Sequence, residues 1–147
     1  MDRLSERGRL AVLLARQEAG NAEAPAVGAL HLVAGLIRED EGMAAELLTH
    51  HGVRLEDVRE LAGAGAGERF VPASVEGEIP LSPTVERALE RAAEESRWLG
   101  LEHASTEHVL LGLLHEGSGA AIRLLLDAGL SEAALHEQVV RRARRRR

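Results

Sequence analysis

Residues 105–121 read STEHVLLGLLHEGSGAA, and residues 28–44 read GALHLVAGLIREDEGMA, the same segment displaced by 77 positions. The two overlay without a gap: His31 on His108, Gly35-Leu36 on Gly112-Leu113, Glu39 on Glu116, Gly42 on Gly119 and Ala44 on Ala121. The offset persists on both sides, with Leu4-Ser5 on Leu81-Ser82, Ala11 on Ala88, Ala15 on Ala92, Glu18 on Glu95, Leu47-Leu48 on Leu124-Leu125 and Gly52 on Gly129. A constant offset over this length is an internal duplication. The first copy occupies 4–63 and the second 81–142. Residues 64–80, inside the Gly-, Ala- and Pro-rich run AGAGAGERFVPASVEGEIP, lack periodicity and read as a linker. Residues 143–147 read as an Arg-rich tail.

Each copy reads as four short helices. In the second copy, Ser82-Pro83 is an N-cap followed by proline at the first helical position. Val85, Ala88, Leu89, Ala92 and Ala93 then form one apolar stripe. A second helix starts near Ser105-Thr106, buries Val109, Leu110, Leu113 and Leu114, and ends in HEGSG. A third carries Ile122, Leu125 and Leu126 and stops at Gly129, with Leu130 placed for the apolar contact of a Schellman stop. Ser131 caps a fourth, through Leu135 and Val139. A copy of about 60 residues buries too little surface to be secure alone. The expected fold is therefore all-α, one domain of two tandem four-helix repeats packed with pseudo-twofold symmetry.

Composition agrees with close-packed helices. Phe70 and Trp98 are the only aromatic residues of the 147, and a core of Leu, Ala and Val suits helices better than a sheet sandwich. Cysteine is absent, which excludes disulfides and thiolate zinc sites. No apolar run approaches a membrane span and the charged start MDRLSERGRL has no signal-peptide character, so a soluble, cytoplasmic protein is expected.

Lysine is absent as well, all 18 basic residues being arginine. A phosphate loop that needs its lysine, and Schiff-base chemistry, are thereby excluded. The last seven residues, RRARRRR, hold six of those arginines, so the net charge of −6 covers a body at −12. An acidic body favours basic or arginine-bearing ligands over nucleic acid.

Catalytic patterns are poor. Ser118, in EGSGA, is not a GxSxG elbow. His115-Glu116 lacks the second histidine of a zinc helix. His103, His108 and His115 do not share i, i+4 spacing, and His50-His51 point to different faces. No metal site is expected. His31 and His108 recur in both copies, which suggests packing or hydrogen bonding near the helix start. Glu107, by contrast, is matched by Leu30, and Thr106 by Ala29. A carboxylate in the first turn offsets the helix dipole by about 0.3–1 kcal/mol, which is one account of Glu107. The other is a ligand site, since exposed N–H groups, a hydroxyl and a carboxylate meet there and can hold a phosphate together with a guanidinium.

The stretches LSERGRLAVLLARQEA, LSPTVERALERAAEESRWLG and STEHVLLGLLHEGSGAAIRLLLDAGL resemble the duplicated N-terminal domain of Clp AAA+ unfoldases, especially the ClpC branch, from about Leu4 to Val140. In that family the domain receives substrates and adaptor proteins for attached ATPase rings, and in some members it binds phosphoarginine through the glutamate of each GTEH motif. The resemblance implies that Thr106 and Glu107, in the surviving Ser105-Thr106-Glu107-His108, form a phosphoarginine or peptide site. It implies that the first site, now Gly28-Ala29-Leu30-His31, is lost. Leu4 and Leu81 stand where the family's copies open with an aromatic residue and are candidate hydrophobic contacts for peptides.

The resulting expectation is a non-enzymatic, stand-alone peptide- or adaptor-binding protein without ATPase modules and without a cofactor. It would serve the Clp degradation system as decoy, adaptor or regulator, its partners being a Clp unfoldase, adaptors, substrates or phosphoarginine-bearing peptides. The alternatives are polyanion or nucleic-acid binding through the Arg-rich tail, and an enzyme of unknown type. No aromatic residue is interleaved in the tail for base stacking, which argues against the former. No nucleophile–base pair argues for the latter.

Overall fold

Ser5 and Ser82 open the two halves in the same way. Each stands in extended backbone as the N-cap of a 16-residue helix, α1 (Glu6–Asn21) or α5 (Pro83–Trp98). Each hydroxyl accepts a hydrogen bond from the amide three residues on, Gly8 at 3.1 Å and Val85 at 3.2 Å. The computed structural model describes residues 2–63, 79–117 and 119–145. Beyond α1 and α5 it places α2 (Ala29–Glu39) with α6 (Thr106–Glu116), α3 (Met43–His50) with α7 (Ala120–Asp127), and α4 (Leu55–Gly63) with α8 (Glu132–Arg145). All four pairs start 77 residues apart and the first three also end 77 apart. The fold is all-helical, in two halves of four helices each. Among the described residues, no single helix is long and apolar enough to cross a membrane.

The stops follow the sequence. α6 ends at Gly117, in the left-handed region at φ 76°, where glycine carries no Cβ penalty. α7 ends in a Schellman motif: the Leu130 amide bonds to the Leu125 carbonyl and the Gly129 amide to that of Leu126, both at 3.0 Å, with Gly129 at φ 93°. The Ser131 hydroxyl accepts from the Ala134 amide at 3.2 Å and opens α8. Of the Arg-rich tail expected at 143–147, residues 143–145 belong to α8, where Ala143 is buried. The linker expected at 64–80 falls largely on 64–78, which with Ser118, Arg146 and Arg147 lie outside the described residues.

Packing repeats with the sequence. α1 crosses α2 at Gly35, and α5 crosses α6 at Gly112. A Cβ on Gly35 would fall inside 3.0 Å of the Ala11 carbonyl oxygen, and one on Gly112 inside 3.0 Å of the Ala88 carbonyl oxygen, the duplicate position. Absence of a side chain lets the backbones touch there. Leu32, Leu36 and Leu48 in one half, and Leu110, Leu113 and Leu125 in the other, are fully buried around these crossings.

Two short parallel bridges join the halves. Leu4 pairs with Ala104 and Val27 with Leu81, and the duplication exchanges one bridge for the other. Ser5 donates to the Ala104 carbonyl at 2.9 Å, as Ser82 does to that of Val27 at 2.9 Å. Ala104 donates to Arg3 at 2.6 Å, as Val27 does to Pro80 at 2.8 Å. The segment entering the first helix of each half thus lies beside the segment entering the second helix of the other, as pseudo-twofold symmetry requires.

Each half also buries a glutamate on its first helix. Glu18 accepts from both Nε and Nη2 of Arg59 at 2.8 Å and from Arg38 at 3.1 Å. The Arg59 hydrogen bonds, with the charges of Arg59 and Arg38, hold its carboxyl below the usual value despite the opposing effect of burial. Its duplicate Glu95 faces Arg91 at 3.0 Å and, in place of Arg59, His136 at 3.5 Å.

Candidate functional site

The start of α6 is built from the STEH residues. Ser105 is the N-cap, and its backbone amide donates to Nδ1 of His108 at 2.8 Å. Gly28 does the same to His31 at 3.0 Å. A histidine three residues into the helix thus accepts from the cap, the role a Glu or Gln fills in the usual capping box. This is why histidine persists in both copies, and it fixes the neutral ring with its proton on Nε2.

Thr106 and Glu107 are 0 % and 2 % exposed. The Thr106 hydroxyl accepts from the Ala44 amide at 3.3 Å. Ala44 lies in the first turn of α3, whose own N-cap, Gly42, has no side chain to offer. Thr106 therefore caps a helix of the other half. Gly42 is held there from behind, its amide donating to Glu39 at 2.7 Å. A Cβ on Gly42 would fall inside 3.0 Å of both the Thr106 hydroxyl and the Glu39 carboxylate. The duplicate junction, where Ala29 at the start of α2 replaces Thr106, has no hydroxyl, and a Cβ on Gly119 would meet open space. The junction that kept Thr-Glu is the tight one.

Glu107 faces α8, where Nε of Arg142 stands 3.8 Å from its Oε2. The arginine is 45 % exposed and lies between this buried carboxylate and solvent. In the first half, Leu30 lines a cleft of about 380 Å³ with Val58 and Ala62 of α4. The two positions differ because the facing helices differ. Arg142 of α8 faces Glu107, whereas its duplicate position in the first half is Gly65, which carries no side chain. Sequence reasoning missed Arg142 as the partner of Glu107. The available signal was the spacing of Gln138, Arg141, Arg142 and Arg145, which puts one polar face on α8.

The remaining candidates separate from this corner. Leu4 is 2 % exposed and belongs to the core, so its side chain gives a peptide no surface, while Leu81 is half-buried. Both are held by the bridges that join the halves. Among the described residues, no group of three or more His, Asp or Glu side chains converges as a metal site would require.

Comparison with known proteins agrees with this architecture. Over 144 residues the chain is 38% identical to the chloroplastic chaperone protein ClpC1 of Arabidopsis thaliana, and equally to the chloroplastic ClpA homolog of Brassica napus. These matches take in 95% of the chain but only 15% and 16% of the relatives, so the chain spans about a sixth of their length. Among solved structures, the N-terminal domain of the chaperone ClpD from Arabidopsis thaliana superposes with a TM-score of 0.74 at 26% identity, covering 97% of this chain and 95% of that one. The Hsp104 N-terminal domain from Candida albicans, at 17% identity and a TM-score of 0.67 over 93% of this chain and 89% of that one, shares the fold. A family model matches residues 3–128, and with the duplicated helices and the pseudo-twofold bridges it establishes that the chain belongs to the Clp repeat (R) N-terminal domain family.

Proposed function

We propose that this domain is a non-catalytic receptor for peptides, substrates or adaptor proteins of a Clp unfoldase, with one guanidinium-recognising corner at Thr106 and Glu107. Its ligand class in that corner is the arginine-phosphorylated side chain. The supporting observation is that a guanidinium already stands there. Arg142 lies 3.8 Å from a carboxylate otherwise removed from water, and a ligand arginine would take its place. The first copy has Leu30 at the same position, and the carboxylate that lines its cleft, Glu18, is already bound by both Nε and Nη2 of Arg59.

Calorimetric titration with phosphoarginine tests this reading. One site per chain is expected, lost in Glu107→Gln and tightened in Arg142→Gln, which removes the internal competitor. Two equal sites, or a Glu107→Gln variant that binds undiminished, would refute the assignment. Capture of Clp unfoldase components or their substrates on the immobilised domain tests the broader role.

A further inference from the structure

Glu18 and Glu95 are duplicates, each buried on the first helix of its half, yet their partners differ in kind. Both arginines that reach Glu18, Arg38 and Arg59, have histidine at their duplicate positions, His115 and His136. In the first half, Arg59 engages both carboxylate oxygens and Arg38 adds a third bond. At those positions the second half offers Glu95 imidazoles instead. His115 turns to Glu132, its Nδ1 lying 2.8 Å from Oε2 of that residue. His136 brings Nε2 to 3.5 Å from Oε2 of Glu95 without forming a hydrogen bond. Arg91, one turn earlier on α5, reaches Oε1 of Glu95 at 3.0 Å and is shared with Glu94 at 3.7 Å. Glu95 is 7 % exposed, and among the described residues its Oε2 has no hydrogen-bond partner. A buried carboxylate oxygen is costly to leave unpaired, and the first half shows which donor satisfies it.

We propose that Glu95 is a receptor for an arginine side chain of a partner protein, which takes the place that Arg59 fills in the first half. Arg59 is 53 % exposed while bonded to Glu18 through Nε and Nη2, so the place of its guanidinium lies at the surface. His136, at the duplicate position, is 44 % exposed and can turn into water, which opens the same approach to Glu95. Arginine fits this place better than lysine. A planar guanidinium gives one donor to Oε2 and keeps a second for Oε1, as Arg59 does at Glu18, whereas an ammonium is a point charge. The cations already present do not close the site: Arg91 is divided between two carboxylates, and His136 is the group displaced. A body at −12 also favours the approach of an arginine-bearing protein. The assignment does not depend on a ligand at Glu107.

The test is titration of the isotopically labelled protein with N-acetyl-arginine amide at constant ionic strength, following NMR resonances of Glu95 and His136. Saturable shifts are expected, with N-acetyl-lysine amide binding at least tenfold more weakly. Glu95→Gln should lose them. His136→Arg should lose them as well, because its own guanidinium then occupies the place, and it decides the matter should Glu95→Gln fail to fold. Circular dichroism establishes that each variant is folded. Binding should be kept in Glu107→Gln, so a failure of the phosphoarginine reading would leave this one standing. Shifts that never saturate, that survive His136→Arg, or that the lysine derivative matches would overturn the site. Free arginine binding at least tenfold more tightly than the blocked derivative would assign the place to the amino acid itself and overturn the protein partner.

Discussion

Nδ1 of His51 stands 3.0 Å from the carbonyl oxygen of Ala128, the residue that holds the place of His51 in the second half. A position that touches its own duplicate lies on the axis relating the two halves. Here the C-terminal ends of α3 and α7 meet, and a Cβ added at Gly129 would lie 3.5 Å from Nδ1 of the ring. Donation from the ring gives the Ala128 carbonyl a partner at that interface. Loss of one such bond at a half-buried site costs about 0.5–1.5 kcal/mol. His51→Ala should lower unfolding stability by that amount in urea titrations, and no measurable change would show that the axis contact contributes nothing to docking.

Gly112 gives a larger effect. Alanine in a helix interior normally gains about 1 kcal/mol over glycine. Here the new methyl would press on the Ala88 carbonyl, a backbone atom that cannot turn aside. α5 and α6 must separate, so Gly112→Ala is expected to destabilise by about 2–3 kcal/mol despite the propensity gain. Gly35→Ala should cost the same at the duplicate crossing. Thermal unfolding of both variants checks this, and a raised melting temperature in either would mean that the crossing yields readily.

These crossings also show what the sequence made legible. The 77-residue offset carries information on register, because a duplicated glycine, cap serine and helix stop each constrain one backbone geometry twice. Ser82 as an N-cap, and Gly129-Leu130 as a Schellman stop, follow from local chemistry alone. The burial of Thr106 and Glu107 does not. It depends on α3 of the other half and on Arg142 of α8, and neither is written in the residues around position 106. Leu4 fails as a surface contact for a related reason. The bridge to Ala104, 100 residues away in sequence, draws it into the core.

The glutamates of the first helices predict different responses to pH and substitution. The carboxyl of Glu18 is held below its unfolded value, chiefly by Arg59. Its stabilising contribution is therefore present above the unfolded pKa, near 4.5, and is lost as pH falls through the lower folded value. The stability gap between the native protein and Glu18→Gln should be constant near neutrality and close as pH drops below 4.5. A gap that widens on acidification would contradict the sign. In the other half, His136→Arg rebuilds the Glu18–Arg59 arrangement at Glu95. With a partly exposed partner, the gain should be about 0.5–1 kcal/mol at neutral pH, measured in the same unfolding assay.

Exchanging the residues at positions 30 and 107 tests why the copies diverged. Glu107→Leu removes a buried carboxylate facing the half-exposed guanidinium of Arg142, which water can solvate afterwards. Replacing a buried ion pair's acid by an apolar residue where the duplicate helix already carries leucine should change stability by no more than about 1 kcal/mol. Leu30→Glu is not its mirror image. The duplicate position of Arg142 is Gly65, which has no side chain, and Glu18 already engages Arg59 on that side. The new carboxylate would be buried against Val58 and Ala62 beside another acid, at a cost of about 3 kcal/mol or more. Chemical unfolding of the two single variants decides the matter. A large loss in Glu107→Leu would show that the acid is kept for the fold. A fold unchanged by Glu107→Leu, with phosphoarginine binding gone, would show that the second copy keeps it for a ligand.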